Sequence, residues 1–399
     1  MRSTRFRIEL ALALLITIGF IVVTGAGVYF FSTMKVHSDA ATLQSTASGP
    51  PAACYAAAAG AIAEARRLTR EQVVKDNLPA LSLAVAQNGA IVWAEAFGWA
   101  DVERKTPATP LTRFRIGAVS SPLTSAAVGL LHERGRLDID APVQKYVPSF
   151  PYKEWPFSTR QVMGHVAGIH RGAVDKSERM PGRHCDSLDD VLPVFSGDPL
   201  AFRPGTAWRY STYDWILVSA IVASAAKEPY LAFMRREVFA RAGMEHTVPD
   251  AAGVPDRATF YFPRMAQSTA LGVQDAPQAD YSCFAGSGAF VSTPSDLVRF
   301  GSAMLKPGLL KAETIALLQT PMTFESGTTS DYALGWKVEH VRLGGTSVRM
   351  VGHTGSSSGG TTWFMTFPDL GLAIAAAANE SYANGVAPLG LKLADVFAR

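Results

Sequence analysis

Charge is scarce in this chain. Asp, Glu, Lys and Arg make up 18% of 399 residues, and the formal net charge is only +3. No Lys/Arg-rich run of the kind that grips a phosphate backbone is present, which argues against a nucleic-acid partner. Cysteine is also scarce: Cys54, Cys185 and Cys283 are the full set. None has metal-ligand spacing, and an odd count excludes a fully paired intrachain framework while leaving one bridge open. No His/Asp/Cys cluster has zinc spacing and no Gly-rich loop reads as a nucleotide cradle, so no cofactor and no metal are expected. Internal repeats and low-complexity blocks are missing as well.

Apolar residues, by contrast, are plentiful. At 48% hydrophobic content the chain can build a large core, as one big domain or two joined subdomains. The stretch from Leu10 to Phe31 holds no charge over 22 residues, roughly 33 Å as a helix, which is enough to cross a bilayer. Arg2, Arg5 and Arg7 precede it and only Lys35 follows closely. The expectation is an uncleaved single-pass anchor with the N-terminus in the cytoplasm and the main domain on the extracytoplasmic side, periplasmic or extracellular. The alternative is a long signal peptide cut near Ala26. The expected organisation is 1–33 as cytoplasmic tip and anchor, 34–54 as linker, 55–77 as a helical lead-in, and 78–399 as the main domain, with a helical subdomain over about 137–285.

Residues 81–87 and 90–97 flank Asn88-Gly89, the favoured type I′ hairpin turn. Residues 122–134 read as an apolar helix, for which Ser121-Pro122 is an ordinary N-cap and N1 pair and Gly135 a C-cap. Further helices are expected over 213–226, 230–240, 295–305 and 387–397, and strands over 334–340, 347–352, 361–366 and 372–377. Hairpins at both ends with helices between them predict an α+β fold: an antiparallel sheet assembled from both termini, flanked by helices, with a helical subdomain beside it and one N-terminal transmembrane helix before it.

Six short motifs fall in one order: Phe114-Arg115-Ile116-Gly117, Gly135-Arg136-Leu137-Asp138-Ile139-Asp140-Ala141-Pro142-Val143, Gly164-His165-Val166-Ala167-Gly168-Ile169, Tyr210-Ser211-Thr212, residues 286–293, and His353-Thr354-Gly355. In these residues the chain resembles the serine β-lactamase and penicillin-binding-protein family, in the class C-like branch that holds mitochondrial serine β-lactamase-like proteins and bacterial relatives. The resemblance runs from about residue 78 to the C-terminus. It implies a β-lactamase/transpeptidase-like fold and acyl-transfer chemistry, in which Ser-x-x-Lys supplies a nucleophile and the lysine that tunes it. Here the matching positions are Ala118 and Ser121. A methyl group has no lone pair to attack a carbonyl, and a serine has neither the charge nor the reach of lysine.

The resemblance further implies that Tyr210 occupies the place of the Tyr-x-Asn tyrosine that moves the nucleophile's proton. A phenol with a pKa near 10 needs a neighbouring cation to act as a base. Thr212 stands for the asparagine, keeping a donor and an acceptor without the amide's reach. His353, Thr354 and Gly355 match the Lys/His-Thr-Gly strand, with His353 and Thr354 turned to a carboxylate or carbonyl and a backbone N–H near Ser356 turned to an oxyanion. His165 is expected to brace the helical subdomain.

Two rescues weaken on inspection. Ser120 is rotated by roughly 200° from position 118 on a helix. Gly355-Ser356-Ser357-Ser358-Gly359 spells a nucleophile elbow around Ser357, yet strands flank it and no histidine follows. The expected function is a membrane-anchored serine-hydrolase homologue, inactive as written, whose cleft takes a peptide, amide or ester. The alternatives are an engineered inactive form of an active peptidase or esterase, and a non-enzymatic membrane scaffold or accessory subunit. The membrane, through Leu10 to Phe31, and a membrane protein are the other partners implied.

Overall fold

A computed structural model describes residues 17–19, 22–24, 35–48, 52–169, 182–265 and 268–399. The elements that place the cleft are, in chain order, β1 (Ser45–Ser48), helix α1 (Ala52–Lys75), β2 (Ala80–Gln87), β3 (Ala90–Asp101), α2 (Ser120–Glu133), α3 (Thr212–Ala226), β4 (Tyr261–Met265), β5 (Ser268–Asp275), α4 (Pro294–Ala303), β6 (Lys337–Leu343), β7 (Thr346–Ser357), β8 (Gly360–Phe367), β9 (Leu372–Ala378) and α5 (Val386–Phe397). The main sheet runs β1-β3-β2-β9-β8-β7-β6 and every neighbouring pair is antiparallel. Both ends of the chain therefore meet at β2 and β9, as the hairpins at the two termini predict. Asn88 and Gly89 both take left-handed backbone angles (φ 54° and 90°), which the type I′ turn requires.

The side-chain period of two sorts the sheet into two faces. Phe364, Ala373 and Ala375 turn to one face and join the core with α2, α3 and α4. Trp363, Met365, Ile374 and Ala376 turn to the other and pack under α1 and α5. The α2 face carries the larger core, with Trp215, Trp336, Phe150 and Phe195 all under 2% exposed. Burying each such ring contributes about 1.5–3 kcal/mol. A disulfide between Cys185 and Cys283, with Cα atoms 5.0 Å apart, ties the segment after residue 182 to the turn Ser282–Ser287. This settles the bridge that the cysteine count left open.

Four expectations change. Among the described residues no single helix is long and apolar enough to cross a membrane. The most apolar of them, α3, has 15 residues, about 22 Å long, and is wrapped by the core. Most of the stretch from Leu10 to Phe31 lies outside the described residues. The transmembrane helix, the single-pass membrane placement, and the membrane and membrane-protein partners are accordingly unsupported, and the fold class that the described residues show is α+β. Residues 45–48, inside the expected linker, instead extend the sheet as β1 on β3. The expected helical span 137–285 is interrupted by the β4–β5 ribbon. Finally, α2 begins earlier than expected: a 3-10 turn over Gly117–Val119 leads into it and Val119 is its N-cap. Ser121 therefore sits inside the first helical turn, and does not cap it.

Candidate active site

The site grows from a mismatch in strand length. β6 pairs with β7 only as far as Gly352, whereas β8 accompanies β7 to Ser357. His353 to Ser357 thus forms an edge that lacks a neighbour on the β6 side. The 3-10 turn before α2 packs directly on the face of this segment. A side chain at Gly355 would run into the Ile116 carbonyl, and one at Gly117, whose φ is +49°, would meet the Ser356 backbone. Only glycine at both places lets the two backbones approach this closely. The result is that Ala118, half-buried, stands beside the edge strand in the wall of a cleft of about 890 Å³.

Tyr210, Thr212, His353, Thr354, Gly355 and Ser356 line the same cleft as Ala118. Thr212 opens α3, and Thr354 and Ser356 are exposed on β7. Ser121 is not among the lining residues. It is fully buried, and its hydroxyl has no hydrogen-bond partner among the described residues. Ser211 Oγ is likewise buried and without a partner among the described residues. Ser120 is buried too, with its hydroxyl donating to the Gly117 carbonyl at 2.7 Å. Ser357 lies at the end of β7, before the turn into β8, a strand–turn–strand setting, with its hydroxyl 3.4 Å from the Gly360 carbonyl.

His353 is locked on both ring nitrogens. Nδ1 lies 2.6 Å from the Thr354 carbonyl and Nε2 lies 2.8 Å from the Tyr332 hydroxyl. A carbonyl only accepts, so Nδ1 carries the proton and Nε2 accepts from Tyr332. Burial pushes the His353 pKa down to about 4, helped by the nearby Lys337 cation. The ring is therefore neutral at pH 7 and brings no positive charge to the cleft. Burial also raises the Tyr332 phenol well above its ordinary value, which keeps it a donor. Lys337 is the cation in the cleft wall, held 2.6 Å from Glu339.

Behind Tyr210 lies His165, fully buried, its ring 4.5 Å from the Tyr210 ring. Its Nδ1 is 2.6 Å from Asp214 Oδ2, and the Trp215 indole donates to its Nε2 at 3.3 Å. Tyr332 closes the same group, 4.9 Å from His165 between ring centres. His165 thus braces the cleft wall itself, joining the loop after Thr159–Met163 to α3. Tyr332, Lys337, Trp208, Phe262 and Tyr382 also line the cleft and were missed by motif reading. Residues 314–332 read as a loop without a code. The one available signal was Tyr332-Ala333-Leu334-Gly335-Trp336, an aromatic pair around a glycine at the start of the closing strands.

The Beta-lactamase family model matches residues 65–398. The chain belongs to the β-lactamase family. It is 28% identical over 394 residues to the mitochondrial serine beta-lactamase-like protein LACTB of Bos taurus, covering 74% of this chain and 70% of that one. Its fold is shared with a D-amino acid amidase from Ochrobactrum anthropi SV3, solved in complex with L-phenylalanine amide (TM-score 0.71, 21% identity, 84% of this chain and 98% of the amidase). The octameric penicillin-binding protein homologue from Pyrococcus abyssi is similar as well (TM-score 0.70, 20% identity, 83% and 76% covered). The chain is thus built on a serine-hydrolase scaffold of the β-lactamase type.

Proposed function

We propose that this β-lactamase-family chain binds a peptide, amide or ester in the Ala118 cleft without cleaving it. The reading rests on one observation: at the junction of the Gly117–Val119 turn and α2, the side chain that lines the cleft is a methyl group. Family chemistry needs an oxygen there and a cation one helical turn on. Ser121 supplies neither, being buried away from the lining. Neither neighbouring cation replaces the lysine: His353 is neutral, and Lys337 is paired with Glu339. Catalytic groups act as a unit, so loss of both leaves only what binding and oxyanion donors provide.

The binding half of the site supports the rest of the reading. In an antiparallel pair closed at Ser357 and Gly360, alternate residues bond the partner strand. Ser356 and Thr354 accordingly turn their main-chain groups to the free edge, where an extended ligand can add as a further strand. The structural relative solved with an amide of an amino acid carries the same scaffold. Calorimetric titration with a blocked dipeptide amide, followed by chromatography of the mixture, tests this. Binding with intact peptide recovered is expected. Cleavage of the peptide, or no binding to the cleft at all, would refute the reading.

A further inference from the structure

The cleft does not stop at β7. Thr354 pairs with Trp363 and Ser356 with Thr361, so these side chains share the α5 face, opposite Ala118. Trp363 packs on Gly390 of α5, which fixes that side independently. The lining continues there through Trp363, Tyr382, Asn384 and Ala387. One cavity therefore passes over the free edge of β7 and has an arm on each face of the sheet.

Tyr382 stands in the second arm with its backbone in the left-handed region, at φ +65°. A bulky residue is an outlier there, because its Cβ crowds the following carbonyl. The turn enforces it: Asn384 N–H donates to the Tyr382 carbonyl at 2.7 Å, and Ser381 Oγ accepts from Gly359 N–H at 2.8 Å and donates to the Ser357 carbonyl at 3.0 Å. The strained ring is not hidden in the core. It is 42% exposed and meets Phe262 of β4 edge-on, with ring centres 6.1 Å apart. Phe262 is held in place because β4 continues alongside the end of β9, where Tyr261 N–H donates to the Asn379 carbonyl and accepts at its own carbonyl from Ser381 N–H. Strain kept in order to leave an aromatic ring in a cleft marks a binding surface.

Resting on the reading that an extended ligand lies along β7, we propose that Tyr382 and Phe262 form a subsite for an aromatic or bulky aliphatic side chain of that ligand. A strand-like main chain turns successive side chains to opposite faces. If one residue of the ligand faces Ala118, the next enters the α5 arm and meets these two rings. The pair then sets which ligands bind.

The test compares N-acetyl-phenylalanyl-glycine amide with N-acetyl-alanyl-glycine amide by calorimetry on the full chain and on Tyr382→Gly, Tyr382→Phe and Phe262→Ala. The phenylalanyl peptide is expected to bind about tenfold or more tighter than the alanyl one. Tyr382→Phe keeps that preference. Tyr382→Gly and Phe262→Ala reduce it to near parity, and Tyr382→Gly raises Tm by a few degrees because glycine relieves the strain. A purely structural pair would instead lose Tm in Tyr382→Gly and leave the preference intact, which overturns the subsite. Equal binding of both peptides to the unaltered chain overturns the subsite and leaves the cleft-binding reading standing. No binding of either peptide overturns both.

Discussion

On the α2 side of β7 the cleft wall is a set of fixed hydrogen bonds: Tyr332 on His353, His353 on the Thr354 carbonyl, and His165 on Asp214. On the α5 side the wall is aromatic, and one residue holds it in a strained backbone. The two arms share a strand, yet the first keeps a rigid polar frame beside the Ala118 methyl, while the second puts its unusual conformation into apolar contact. The comparison teaches that the polar frame stands although a methyl group lines the cleft at position 118. The turn, the glycines and the edge strand beside Ala118 are all in place. Ser121 carries a buried hydroxyl with no partner among the described residues. An unmade hydrogen bond of this kind costs about 1–3 kcal/mol.

The largest expected effect comes from repairing the α2 arm. Ala118→Ser with Ser121→Lys should raise hydrolysis of a p-nitrophenyl ester by at least about 10³-fold over the unaltered chain, with either single change near background. The same pair should leave the α5-arm peptide preference unchanged. Next is the disulfide, which anchors the Phe284 and Ser287 wall of the cleft from a distance. Replacing Cys185 and Cys283 with alanine opens a loop of 98 residues and should cost about 2–4 kcal/mol in urea unfolding.

A third test concerns the far side of the sheet, where Glu380 adjoins the turn that strains Tyr382. Its carboxyl group is buried with neither oxygen partnered among the described residues, and burial, with Asp76 nearby, pushes its pKa up to about 9. The folded state therefore holds a proton that the unfolded chain releases near pH 4.5. Stability from this group is complete below that value and is lost as pH rises toward 9. Glu380→Gln should remove the loss, so that its Tm exceeds that of the unaltered chain at pH 8.5 and matches it more closely at pH 5.

His353, in the other arm, works in the opposite direction. Its folded pKa of about 4 lies below the ordinary 6.5, so the unfolded chain takes up a proton first. Stability from the neutral ring is complete above pH 6.5 and is lost as pH falls toward 4. Tyr332→Phe removes the donor to Nε2 and should cost about 1 kcal/mol at pH 7. NMR titration of the ring carbons would show no charging of His353 above pH 5 in the unaltered chain. A midpoint near 6.5 would contradict the locked neutral ring.

Much of the frame was legible because it is local. Asn88-Gly89 demands its turn, the apolar run after Pro122 demands a helix, and the alternating strands of the final third follow each other through short turns. What escaped depends on distant chain. Ser121-Pro122 looks like a helix start, but the packing of Gly117 on Ser356, more than 200 residues away in sequence, forces a 3-10 turn that begins the helix earlier. Nothing near Tyr382 in sequence announces a left-handed tyrosine, because its partners lie on β4 and on the β7–β8 turn. The motif positions from Tyr210 to Ser356 reach one cleft, while Tyr332 and Phe262 enter it from segments with no family signature to read.

The most direct measurement is intact-protein mass after incubation with a fluorophosphonate, on the unaltered chain and on the Ala118→Ser/Ser121→Lys variant. The unaltered chain should keep its mass, and the variant should gain one adduct that peptide mapping places at position 118. An adduct on the unaltered chain, at Ser357, Ser120 or any other hydroxyl of the cleft, would contradict the conclusion that the attacking group is absent.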